Sequence, residues 1–182
     1  MKRILSMLVA LTTIFFCSCI GCTTSNSGNG ADGYGESSLS TESEEDSPYL
    51  DNRLQTGAVP YDNYDCEGQE STISVATSAN SDCDVVVIVK QDGYIVRNVY
   101  IEAGDSYKIA VPNGTYQVFF YGGKGWNPQK RMDGGYVGGF VSQESFSKDS
   151  SVSLNYQGLS YELIPQPNGN FNTMQSDASE IF

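Results

Sequence analysis

Residues 84 to 121, DVVVIVKQDGYIVRNVYIEAGDSYKIAVPNGTYQVFFY, decide the fold. Asp84 to Lys90 is a continuous β-branched run, the composition of a strand buried on both faces. Tyr94 to Ile101 follows the turn pair Asp92-Gly93, and Tyr107 to Val111 follows Ala103-Gly104-Asp105. Pro112-Asn113-Gly114 predicts a tight reversal, because Pro presets φ at one turn position and Asn-Gly tolerates positive φ at the next. Thr115 to Tyr121 then returns as a strand. No stretch here carries a 3.6-residue apolar period of helical length.

The pattern extends outward on both sides. Thr72 to Thr77 (TISVAT) alternates apolar and polar residues. Tyr136 to Val141, Ser151 to Tyr156, Leu159 to Ile164, and Asn170 to Met174 behind the Pro167-Asn168-Gly169 turn are further strand candidates. Seven to nine short strands with turn signals between them specify an all-β chain, a single β-sandwich with Greek-key connections. It occupies residues 55–182, enough for one domain with a real core. No internal repeat with a period of 20 to 50 residues is present. Residues 101–126, IEAGDSYKIAVPNGTYQVFFYGGKGW, resemble the pattern of prealbumin-like accessory domains of surface proteins, where a strand, a Pro-Gly turn and an aromatic-rich strand recur in one sandwich. That resemblance supports the fold class alone.

The chain begins with Lys2 and Arg3, continues through the apolar run Ile4 to Phe16, and reaches Cys17-Ser18-Cys19-Ile20-Gly21-Cys22. A basic n-region and an apolar stretch of about 13 residues, short of the roughly 20 that span a bilayer, read as a secretory signal. Small residues directly before cysteines resemble the lipobox of bacterial lipoproteins. In that family the signal is cut before a cysteine whose thiol carries diacylglycerol. The resemblance implies a signal over residues 1–18 with Cys19 as acceptor; Cys22 is the alternative, which would leave Cys66 and Cys83 as an even pair. Two or more acyl chains, at about 0.8 kcal/mol per buried methylene, hold a protein stably on a membrane. The expected location is therefore a bacterial cell envelope, at the outer membrane.

Residues 19–54 read as a disordered acidic tether. From Thr23 to Leu54 seven acids face one base, including Glu42, Glu44, Glu45 and Asp46, and branched apolar residues are nearly absent. Such a segment buries too little apolar surface to offset its ordering entropy.

The 182 residues carry 22 acids, 10 bases, five cysteines and no histidine. Lack of imidazole excludes Ser-His-Asp and Cys-His catalysis and His-ligated metals. The net charge of −12 argues against nucleic acid as a partner. No spacing of acids forms a calcium loop; Asp82 and Asp84 around Cys83, and Asp62 and Asp65 around Tyr64, read as solvated turn residues. Neither a metal nor a cofactor is expected. Cys66 and Cys83, 17 apart in a compartment that permits disulfides, form either a bridge or two buried thiols.

The candidate binding surface is Gly122 to Arg131 (GGKGWNPQKR), which holds Lys124, Lys130 and Arg131 without an acid and sets Trp126 among glycines. With Tyr121 before it and Tyr136 after it, an exposed Trp126 would stack on a sugar or anchor a protein; folded back, the same ring would close one end of the sandwich. Gly122 to Phe140 reads as one long mobile hairpin loop, its second Gly-rich part marking a bulge or a close backbone approach. The first expectation is thus a non-enzymatic, membrane-anchored module for a glycan or protein partner. An alternative is a structural role by β-strand addition, through an edge strand or the tail Ser176 to Phe182. A hydrolase using carboxylates alone comes last.

Overall fold

A computed structural model of the chain describes residues 9–13, by their backbone, and residues 47–64, 67–164 and 174–182. Cys19, Cys22 and Cys66 lie outside these residues, and so do the lipidation and disulfide expectations that rest on them.

Two sheets make a sandwich. The smaller runs in the order β1 (Val9–Thr13), β9 (Gly158–Leu163), β2 (Ser71–Thr77), β5 (Ser106–Val111); the larger runs β10 (Met174–Gln175), β7 (Val137–Lys148), β6 (Gly114–Arg131), β3 (Asp84–Gln91), β4 (Tyr94–Ile101), with β8 (Val152–Leu154) also on β6. Neighbours are antiparallel except that β9 runs parallel to both β1 and β2.

The local patterns explain which faces are buried. β2 alternates buried and half-buried residues along its whole length, as its apolar-polar alternation requires. β3 is buried at six consecutive positions. Val85, Val87 and Val89 point into the core between the sheets, against Ile73, Val75, Ile109, Val111 and Phe120, while Val86 and Ile88 point outward into a second, aromatic core. Each such side chain contributes about 1.5–3 kcal/mol on burial. The outer core is roofed by Leu54, Ala58 and Tyr61, by Met132 and Tyr136, and by Ile181 and Phe182.

Three expectations change. Pro112-Asn113-Gly114 does not close a hairpin: β5 pairs with β2 in the small sheet and β6 with β3 in the large one, so the turn is a corner between sheets. Tyr116 Oη donates to Pro112 O at 2.8 Å and Ser71 Oγ to Asn113 Oδ1 at 2.8 Å, which pins that corner. Gly122 to Phe140 is not a mobile loop: β6 and β7 pair through most of it, joined by a 3₁₀ turn at Asp133–Gly135. Glycine makes the pairing possible, since a Cβ on Gly123 would stand 2.4 Å from Phe140 Cβ, and Gly138, at φ +106°, would place one 2.8 Å from the Trp126 ring.

Finally, the ordered unit starts before residue 55. Trp126 N–H donates to Asn52 O at 2.7 Å, Asn52 Nδ2 donates to Trp126 O at 2.5 Å, and Arg53 pairs with Asp84 at 3.3 Å. The tail packs onto the outer core. Asp177 caps the short helix α1 (Ala178–Ile181), and Ile181 is fully buried.

Candidate functional site

The residues singled out around Gly122 to Arg131 meet only in part, and Trp126 and Tyr121 lie inside the protein. Trp126 is 3% exposed. Its ring packs edge-on against Tyr100 (5.7 Å between centroids) and Phe140 (5.3 Å), with Tyr61 at 6.2 Å. Tyr121 is fully buried and stacks on Phe146 at 4.8 Å. Its hydroxyl donates to Glu144 and accepts the Phe140 N–H at 2.7 Å. Lys130 Nζ donates to Glu144 Oε2 at 2.5 Å and to Phe140 O at 2.6 Å. Tyr136 sits edge-on against Tyr61 at 5.6 Å. Lys124 is half-buried and Arg131 exposed, seven residues apart on one strand and thus on the order of 20 Å apart. No exposed patch with Trp126 at its centre results.

The physical reason is the two-sided burial of β3. A strand whose outer face carries Val86 and Ile88 needs a cover, and the aromatics of β6 with the segment around Tyr61 supply it. Across the two cores the buried phenols act as protonated donors. Burial raises Tyr61, Tyr100, Tyr121 and Tyr161 well above the usual tyrosine pKa, reinforced by Glu144 beside Tyr61 and Tyr121, Asp84 beside Tyr100, and Asp149 beside Tyr161.

Asp84 departs from the turn role expected of it. It is 1% exposed and accepts from Tyr100 Oη at 2.6 Å and from the Ala103 N–H at 2.9 Å, with Arg53 alongside. A buried carboxylate so saturated is an organising contact. Cys83 is half-buried, its sulfur 3.2 Å from Gln143 Oε1.

The cavity of interest lies at the other end of the outer face. The β3–β6 register pairs Lys90 with Gln117 and Asp84 with Gly123, so Lys90 and Trp126 occupy opposite ends. A cavity of about 350 Å³ is lined there by Lys90, Thr115, Gln117, Phe119, Ser151 and Glu180, with Asp92 at the turn between β3 and β4. Lys90 Nζ donates to the Glu180 backbone carbonyl at 2.9 Å and lies 5.7 Å from the Phe119 ring centroid. Desolvation lowers the Lys90 pKa, partly opposed by the charge of Glu180. The Glu180 carboxylate is itself engaged, by Lys148 Nζ at 2.5 Å and Ser176 Oγ at 2.7 Å. Among the described residues the ion pairs are Arg53–Asp84, Lys130–Glu144 and Lys148–Glu180, so Lys90 belongs to none.

Sequence reasoning missed this site. Lys90 reads as the polar end of an apolar strand, and Glu180 arrives from 90 residues away. A weak signal existed in the alternation Thr115, Gln117, Phe119 on one face of β6. Among the described residues no group of three or more Cys, Asp or Glu could hold a metal ion, and no helix is long and apolar enough to cross a membrane. No protein-family model matches the chain, and no similar curated protein or solved structure is found.

Proposed function

We propose that this chain is a lipid-anchored protein of the bacterial cell envelope whose β-sandwich is a non-catalytic binding module, and that its ligand enters the cavity beside Lys90 rather than stacking on Trp126. The anchor reading rests on the basic n-region, the apolar run to Phe16 and the cysteines behind it. The binding reading rests on one observation: a cavity of about 350 Å³ in which, among the described residues, a half-buried ammonium has no carboxylate within ion-pair distance. A charge left in that state loses hydration without full compensation, and a ligand that supplied the partner would be favoured.

The test has two arms. With Cys19→Ala, Cys22→Ala and the double variant, metabolic palmitate labelling is lost when the acceptor is removed; label surviving in the double variant overturns the lipoprotein reading. For binding, Gln117→Ala reduces retention of the full chain on a glycan or cell-wall panel, and unchanged retention overturns the choice of cavity.

A second reading has its own observation. Val9–Thr13, inside the segment read as the signal, pairs in parallel with β9 from Leu159 to Leu163. Removal of a signal would leave that edge without its neighbour, and an open edge accepts a strand from a partner. On this reading capture of a protein partner is indifferent to Gln117→Ala.

A further inference from the structure

The chemistry around Lys90 narrows the ligand. An ammonium carries three donors, and one is spent on the Glu180 carbonyl. The Glu180 carboxylate is paired with Lys148, so that among the described residues Lys90, which lines the cavity, has no carboxylate within ion-pair distance. Beside Phe119 and Asp92 the lining offers hydroxyl and amide groups: Thr115 Oγ1 shares a hydrogen with Ser153 Oγ at 2.7 Å, Ser151 Oγ donates to Gln117 Oε1 at 3.0 Å, and Gln117 Nε2 donates to Asp149 O. Such groups retain further acceptor and donor capacity toward a polyhydroxylated ligand.

We infer that this cavity binds an acidic sugar, Lys90 holding its carboxylate while Thr115, Gln117 and Ser151 hold ring hydroxyls beside Phe119. The inference rests on the binding-module reading and names the ligand class of that site. Size supports it, because about 350 Å³ lies at the small end of ligand pockets and suits a sugar unit rather than a folded partner. Charge supports it as well. Beyond residue 54 the chain carries 15 acids against 7 bases, so its overall field repels anions, and exposed Asp92 at the same cavity adds to that. Selection of an anion here therefore depends on one local contact, the charge-assisted bond from Lys90.

The experiment is isothermal titration of the full chain, purified in detergent, with glucuronate, glucose and acetate. Glucuronate is expected to bind at least about tenfold more tightly than glucose or acetate, and Lys90→Gln to weaken it by at least about tenfold. Lys108→Gln, on the exposed outer edge of the small sheet, is expected to change nothing. Far-UV circular dichroism confirms that Lys90→Gln is folded. Equal binding of glucose and glucuronate, both lost in Gln117→Ala, overturns the acidic class while leaving the cavity as the binding site. Acetate binding as tightly as glucuronate overturns the sugar. Glucuronate binding indifferent to Lys90→Gln and to Gln117→Ala overturns both this inference and the choice of cavity, and absence of binding by glucuronate overturns the inference.

Discussion

Trp126→Ala separates an interior tryptophan from a surface one by a wide margin. The side chain is 3% exposed and touches Tyr61, Tyr100 and Phe140. An aromatic of this size buries about 200 Å², which at roughly 25 cal/mol per Å² gives about 5 kcal/mol as an upper bound. Measured truncations of buried aromatics cost about 3–5 kcal/mol, because the surrounding side chains collapse only partly into the space left. Here the neighbours are rings on β4, on β7 and on the segment before β2, and Gly138 approaches the indole directly, so little collapse is available. Against a total stability of about 5–15 kcal/mol, the loss is a large fraction. With an m-value near 2 kcal/mol per M of urea, the unfolding midpoint should fall by about 1.5–2.5 M. Far-UV circular dichroism is the right probe, since Trp126 is the chain's single tryptophan and the variant loses the fluorophore. In the parent protein the indole should emit to the blue of free tryptophan and resist iodide quenching. A midpoint shift below about 0.25 M, matching the roughly 0.5 kcal/mol typical of surface changes, refutes the interior placement.

Alkaline pH should unfold the protein in a way read directly from its phenols. A tyrosine whose pKa is raised on folding stabilises the native state fully below the unfolded-state value of about 10, and that stability drains as pH climbs above it. Tyr61, Tyr100, Tyr121 and Tyr161 are all shifted in that direction. Titration at 295 nm should show these four withheld until the ellipticity collapses; ionisation of all twelve tyrosines in one phase near pH 10 with the fold intact would contradict their burial. At the tail, Ile181→Ala should cost about 2–5 kcal/mol, since Ile181 is fully buried beneath the outer aromatic core. A urea midpoint equal to that of the parent would mean that the tail is not part of the folded unit.

The strands were legible because their signal is local. β2, β3, β4 and β5 begin and end within a residue or two of the positions their alternation and turn residues specify. β6 was legible only to Tyr121, because Gly122 to Gly125 carry the composition of a loop. In the fold those glycines serve close approach, Gly123 to Phe140 and Gly125, at φ +69°, to the Tyr49–Leu50 backbone. Loop and close packing use the same residue, and only the partner strand tells them apart. The same ambiguity governed Trp126, whose flanking sequence allowed either surface or interior.

The missing histidines exclude imidazole chemistry, the acidic excess argues against nucleic acid as a partner, and the turn-punctuated β-branched runs specify a sandwich; these readings need composition and period alone. The run Asp84 to Lys90 even implied that both faces of one strand would be covered. What would cover the outer face was not legible, because the roof comes from Leu54 to Tyr61, Met132 to Tyr136 and Ile181–Phe182, three segments with no local pattern in common. Tertiary structure brought Glu180 to Lys90 and moved the candidate site from one end of the outer face to the other. A strand's period fixes which way its side chains point, whereas a cavity depends on which distant segments stop short of covering them.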